Sequence, residues 1–243
     1  MKLFRLLLSG LLLLSLTPTV YAAAPDADRG PLSKVTFIHY RNPRFPTDII
    51  SFARGNKPTP GGASACYTFL ASGARWKTTE PYQLNPSNIF GLSPQFVSAS
   101  FDSGTSAWDN QVSFAVFGAP SLNSGADFSF DNADGQNVAK FGSYNDPDVI
   151  AVTNVWGYFG GRPSTRELVE WDMLISDSFV WGDATVDSTR MDLPNIVTHE
   201  LGHSAGLGDL YNTDCQTATM YGYGTEGETS KRDLDVGDIA GIT

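Results

Sequence analysis

The chain has 243 residues, 41% of them hydrophobic, with 26 acidic against 16 basic side chains and a net charge of −10. Such a balance excludes non-specific binding to nucleic acid or to anionic membrane surfaces and leaves cations as the natural charged partners. The length suits one good hydrophobic core plus a short additional segment.

The first 22 residues read as a secretory signal. Lys2 and Arg5 form a positive start, a Leu-rich core runs from Leu6 to Leu16, and small residues place the cleavage site after Ala22 or Ala24. That core is about half the roughly 20 apolar residues a membrane span needs, and no later segment is long and apolar enough, so no stable membrane insertion is expected. Removal of the signal leaves 14 basic against 26 acidic residues, a net charge of −12. Two cysteines occur, Cys66 and Cys215. In an exported protein an even pair is a candidate disulfide, although sequence does not show that the two meet in space.

Residues 23–65 are rich in Pro, Gly, Arg and Lys and read as an N-terminal extension or pro-segment. Only "KVTFIHY" (Lys34–Tyr40) and "TDIISFA" (Thr47–Ala53) look structured there. From Cys66 the composition changes, and 66–243 reads as the main domain. "CYTFLASGARWKTTEPYQL" alternates around Gly73 as an entry hairpin would. Ser93 and Pro94 open a helix carrying Phe96, Val97, Phe101 and Trp108 at near-helical spacing. Strand-like runs follow at Val112–Gly118, Asp148–Phe159 and Leu168–Ser176. A second helix starts at Asp192, with Pro194 in its first turn, and stops at Gly206; a final helix lies within Arg232–Ile242. This mixture predicts an α+β domain.

The second helix carries "HELGH". His199 and His203, four apart, lie on one helix face and can clip a zinc ion through neutral imidazoles. Glu200 lies about 100° further round the helix, beside the metal rather than on it. There its carboxylate can take a proton from a zinc-bound water and pass it on. The chance occurrence of this pattern is rare, and two His and one Glu seldom share a core helix without a partner.

The extended pattern, H-E-x-x-H-x-x-G-x-x-D, resembles the metzincin zinc peptidases. The resemblance implies that the Gly corner returns the chain so that Asp209 becomes the third ligand, where the usual residue is His and the snapalysin family also has Asp. A turn-capping loop residue is the alternative for Asp209. Met220 matches the Met-turn beneath the metal. "RDLDVGDIAGI" is similar to the C-terminal helix of matrixins, with Asp238 and Ile239 matching, and Tyr223 corresponds to a residue lining the primed-side substrate pocket. The resemblance covers about 66–243 and is closest to prokaryotic matrixin-like peptidases. It implies a metzincin-like zincin domain: a twisted mixed β-sheet with an active-site helix, a Met-turn and a C-terminal helix. No cysteine-switch motif is present, so latency would come from Cys66 as a thiolate plug, from an aspartate, or from the bare pro-segment. With His39 the only histidine left over, one zinc is expected rather than two. "DNADGQN" and "SYNDPDV" place Asp131, Asp134, Asp146 and Asp148 in loops where calcium is a candidate ligand and ordinary turn chemistry the alternative.

The expected function is therefore a secreted, monomeric zinc endopeptidase acting on protein or peptide substrates, which the resemblance implies would add as a strand along "DVIAVTNVWG". The rivals are a zinc-bearing binding protein without catalysis and a latent zymogen. N-terminal sequencing of secreted material tests the pro-segment: an active form beginning beyond residue 65 is expected, and one beginning near Ala23 counts against it.

Overall fold

The computed structural model describes residues 29–41 and 66–243; the signal segment and the run Thr47–Ala53 lie outside them. In chain order the elements are strand β1 (Leu32–Arg41), β2 (Glu80–Asn85), helix α1 (Pro94–Asp109), β3 (Phe117–Leu122), β4 (Asn137–Gly142), β5 (Val149–Tyr158), β6 (Glu167–Ser176), the short pair β7 (Trp181–Gly182) and β8 (Met191–Asp192), α2 (Leu193–Ser204), β9 (Tyr223–Gly224) and α3 (Val236–Ile242). This is the expected α+β class. One mixed sheet of seven strands runs in the order β3-β2-β4-β6-β5-β1-β9. The pairs from β3 through β6 are parallel; β5 runs antiparallel to both β6 and β1, and β9 parallel to β1. Among the described residues no helix is long and apolar enough to cross a membrane.

The β5 sequence is nearly continuous in apolar and β-branched residues because both of its faces are covered, and every residue but Tyr158 is buried. One face packs in the main core with α1 and α2; Val149 and Val152 on the other meet Phe128 and Leu174. Helix α1 begins as its sequence implies: the Ser93 hydroxyl accepts from Phe96 N at 3.1 Å, and Val97, Phe101 and Trp108 are buried. Gly104, which weakens this helix by propensity, lets it approach α2. A Cβ there would lie 2.8 Å from the Leu201 side chain and 3.3 Å from Thr198 Cα. The Trp108 indole then donates to Thr198 O at 2.8 Å, joining the two helices.

Three expectations change. The entry hairpin around Gly73 does not form; Phe69 bridges Leu207 and Arg75 bridges Glu167, so the two halves pair with the rest of the domain rather than with each other. The strand expected at 112–118 begins at Phe117, because Val112–Phe114 form the turn that leaves α1. Strand β4 falls between the two Asp-rich runs and was not anticipated. Cys66 and Cys215 form a disulfide, with Cα atoms 5.4 Å apart across 149 residues of sequence, which removes Cys66 as a thiolate plug.

Two buried acids on β6 organise the loop before β4. Asp172 accepts from Ser129 N at 2.8 Å and Val138 N at 2.9 Å, and Glu170 accepts from Asp134 N at 3.0 Å and from Gly135 N. Burial, reinforced by the neighbouring Glu170 charge, pushes Asp172 up to about 8, against the pull of the two N–H donors. A raised carboxyl keeps its proton in the fold after the unfolded chain has lost it. Its contribution to stability is therefore complete below about pH 4 and declines as pH rises toward 8. Urea titrations across pH 4–8 are expected to show that decline, with a smaller slope in Asp172→Asn whatever its absolute stability.

Candidate metal centre

Helix α2 is fixed at both ends. The Asp192 side chain caps it by accepting from Asn195 N at 2.9 Å, with Pro in the first turn. Arg232 donates to the same carboxylate at 2.7 Å. At the other end Gly206 adopts φ +107°, a left-handed conformation that Gly accepts at little cost. The corner sends the chain back beneath the helix, with Leu207 N on Gly202 O at 2.9 Å.

His199, His203 and Asp209 meet at one point. The two Nε2 atoms are 3.1 Å apart, and Asp209 Oδ1 lies 3.3 Å from each. Both Nδ1 atoms face backbone carbonyls, His199 to Thr219 O at 2.7 Å and His203 to Leu207 O at 3.0 Å. A carbonyl only accepts, so each Nδ1 carries the ring proton and each Nε2 presents a lone pair in the neutral ring. With both rings neutral, three acceptors thus converge in one buried space. Asp209 Oδ1 has no hydrogen-bond partner although it is buried, an arrangement that is costly without a cation. The separations match the edge of a tetrahedron, about 3.3 Å for ligands about 2.0 Å from one ion. These residues therefore fit a tetrahedral metal ion with a fourth position outside the protein ligand set.

Electrostatics tie the three groups together. Burial, aided by neighbouring His39 and His203, lowers His199 to about 4. Burial opposes ionisation of Asp209 as well, but the two imidazoles outweigh it and hold the carboxyl well below its usual range. For His203 burial is likewise outweighed, and the Asp209 charge raises it.

Met220 is buried directly under the helix; a Cβ on Gly202 would come within 2.2 Å of its Sδ. Its turn is held from below by Asp238 of α3, which accepts from Thr219 N at 2.7 Å and Met220 N at 3.2 Å. The C-terminal helix thereby positions the carbonyl that fixes His199. Glu200 is buried beside the cluster, its Oε1 4.0 Å from His199 Nε2. Its Oε2 accepts from the Thr153 hydroxyl of β5 at 2.5 Å and its Oε1 faces His39 Nδ1 at 3.1 Å. Burial raises the Glu200 carboxyl.

His39, His199 and Glu200 form a second group able to bind a metal. The His39–Glu200 contact, however, is satisfied by a single proton shared between an imidazole and a carboxylate. Burial keeps His39 neutral, lowering it to about 3.

Several of these contributors carried no readable sequence signal. The carbonyls of Thr219 and Leu207 are backbone groups, and Thr153 sits in an apolar strand. Tyr211, whose hydroxyl donates to Asp209 Oδ2 at 3.1 Å, could have been noticed from its position two residues after a proposed ligand. Tyr223 lies on β9 with its ring against Tyr211 and Tyr221, centroids 5.3 and 5.7 Å away. The four loop aspartates are not brought together. Loop 129–138 turns its N–H donors inward onto Glu170 and Asp172, as described above, rather than presenting oxygens. The Asp134 side chain accepts from Gln136 N, Asp146 from Asp148 N, and Asp148 pairs with Arg41 at 3.3 Å.

No protein-family model matches the chain, and no curated protein is similar to it. The metal assignment rests on the geometry. Asp209→Ala is expected to weaken metal affinity by more than about 100-fold, beyond the usual cost of losing a supporting partner. Tyr211→Phe, which removes only the hydroxyl on Asp209, should cost about tenfold. Competition titration against a chromophoric chelator reads both.

Proposed function

We propose that the chain is an exported zinc-dependent endopeptidase of metzincin-like, matrixin-type build, acting on extended segments of protein or peptide. His199, His203 and Asp209 would hold the zinc, which when bound supplies Lewis acidity toward a peptide carbonyl and toward water. The observation that carries the reading is Glu200: a buried carboxylate next to the ligand cluster but not part of it. A site that only stores a metal has no use for that group, whereas hydrolysis needs a base at that place.

Each neighbouring residue then has a role. Glu200 would orient a water molecule, accept its proton on one carboxylate oxygen and deliver that proton to the leaving amine nitrogen. Burial, which raises this carboxyl, suits a group that must hold a proton between the two transfers. Thr153, donating to Oε2 at 2.5 Å, leaves Oε1 as the oxygen available for proton transfer. The Thr219 and Leu207 carbonyls keep both imidazoles in the tautomer that presents Nε2. A substrate would add its backbone as a strand along β5, which brings the peptide to the side of the sheet where Thr153 and Glu200 meet.

The signal-like start of the sequence and the disulfide between Cys66 and Cys215 support an oxidising, extracytoplasmic destination. Glu200→Ala is expected to retain metal while chelator-sensitive cleavage of casein or gelatin by the processed protein falls at least about 100-fold. Unchanged turnover in that variant would overturn Glu200 as the base; absence of cleavage in the processed parent protein would favour a metal-bearing binding protein instead.

A further inference from the structure

A cavity of about 490 Å³ lies between the segment that follows Cys66, the turn that leaves α1 and the end of α3, and none of the candidate metal ligands lines it. Its size falls within the roughly 300–1,000 Å³ of sites for small molecules. The segment after Cys66 forms one wall and is tied down along its length. Leu70 N donates to Gly206 O at 2.9 Å, Gly208 N to Thr68 O at 2.9 Å and Leu168 N to Arg75 O at 3.1 Å. Between these ties Gly73 turns at φ +79°, so close to Pro163 that a Cβ would lie 2.6 Å from its side chain. The disulfide of Cys66 with Cys215 holds the start of the segment. The wall is therefore preformed, and a site that is not ordered by its ligand keeps more of the interaction energy as affinity.

The lining is aromatic and apolar with a single charge. Trp76 is buried and its indole is fixed by donation to Ser204 O at 2.7 Å. Phe69 and Phe114, by contrast, stay 40% and 45% exposed. Large apolar side chains left in water around a concavity are what a ligand covers. Arg75 is the only charged side chain among the lining residues. Arg29, Arg41, Arg190 and Arg232 each pair with an acid, and Arg166 donates to two carbonyls. The Arg75 guanidinium has no partner among the described residues, in a chain with 26 acidic against 16 basic side chains. One guanidinium fork matches one carboxylate. The backbone bonds of the wall run to the domain itself, so side chains rather than a strand edge define what the cavity takes.

We infer that this cavity is a second binding site, for a small amphipathic carboxylate: a free acid whose apolar body lies among Phe69, Trp76 and Phe114 and whose anionic end meets Arg75. The site goes beyond the peptidase reading and does not depend on it. Gly206 and Leu207 also line the cavity, so its occupant touches, from outside the metal centre, the corner whose Leu207 carbonyl orients His203.

Calorimetric titration of the full chain with decanoate in the presence of a chelator reads this site without the metal. Saturable one-to-one binding is expected. Arg75→Gln should weaken it by about tenfold, the scale of one charge-assisted hydrogen bond, while 1-decanol binds the parent and Arg75→Gln alike. Ser113→Trp, which puts an indole on the lining, should weaken both ligands at least about tenfold. Both positions are exposed, and the Arg75→Gln comparison decides alone should Ser113→Trp lose its cooperative thermal transition. Decanoate binding that needs added zinc and vanishes in Asp209→Ala would place the carboxylate on the metal and overturn the inference. Association that never saturates, or decanoate affinity unchanged by Arg75→Gln, would overturn it as well. Retained binding with these shifts in a chain that cleaves no protein would leave the second site standing and remove only the peptidase reading.

Discussion

Two imidazole nitrogens and one carboxylate oxygen, all acceptors, point at a common centre in the protein interior. An unpartnered buried acceptor costs on the order of 1–3 kcal/mol, so this cluster, with both rings neutral, favours a cation at its centre. Much of the surrounding architecture exists to hold that arrangement. The Asp192 cap and Gly206 corner set the length of α2, and the Leu207 and Thr219 carbonyls orient the rings. Asp238, reaching from α3, steadies the turn that supplies Thr219 O. Those supports come from four separate stretches of chain, so the centre is held from several sides.

The sheet serves the same centre from above. β5 is buried on both faces, which fixes its height over α2, and Thr153 then falls within reach of Glu200. Apolar packing and polar positioning are thus one device here. The close crossing of α1 on α2 permitted by Gly104, and the packing of Met220 against Gly202, seat the helix from its remaining sides. Larger residues at either glycine would move the helix that carries both histidines.

What could be read in the sequence was what local chemistry encodes. Asp192, Pro194 and Gly206 mark the ends of α2 because caps and left-handed corners have strong residue preferences, and Ser93 does the same for α1. β5 and β6 are legible from their β-branched and aromatic runs. The pair His199 and His203 was legible as a candidate because its spacing is close to one helical turn. Pairing between distant strands has no such signature. Lys34–Tyr40 looked structured, yet nothing local said that it would lie along Val149–Tyr158, and so His39 looked like a remote spare rather than a neighbour of Glu200. β4, short and ending in Gly, was hidden between loops. The Gly73 hairpin failed because alternation identifies a strand but not its partner.

The distances in sequence carry a final implication. The three candidate ligands fall within a stretch of eleven, 199 to 209, whereas β1 meets β5 across separations of more than a hundred, as in His39↔Ala151. Loop-closure entropy grows with chain length and non-local pairings form slowly. Contact order therefore places the metal corner among the early-forming parts and β1 among the late ones. β1 thus reaches β5 from much further along the chain than β6, the next strand of the sheet to follow β5 in sequence.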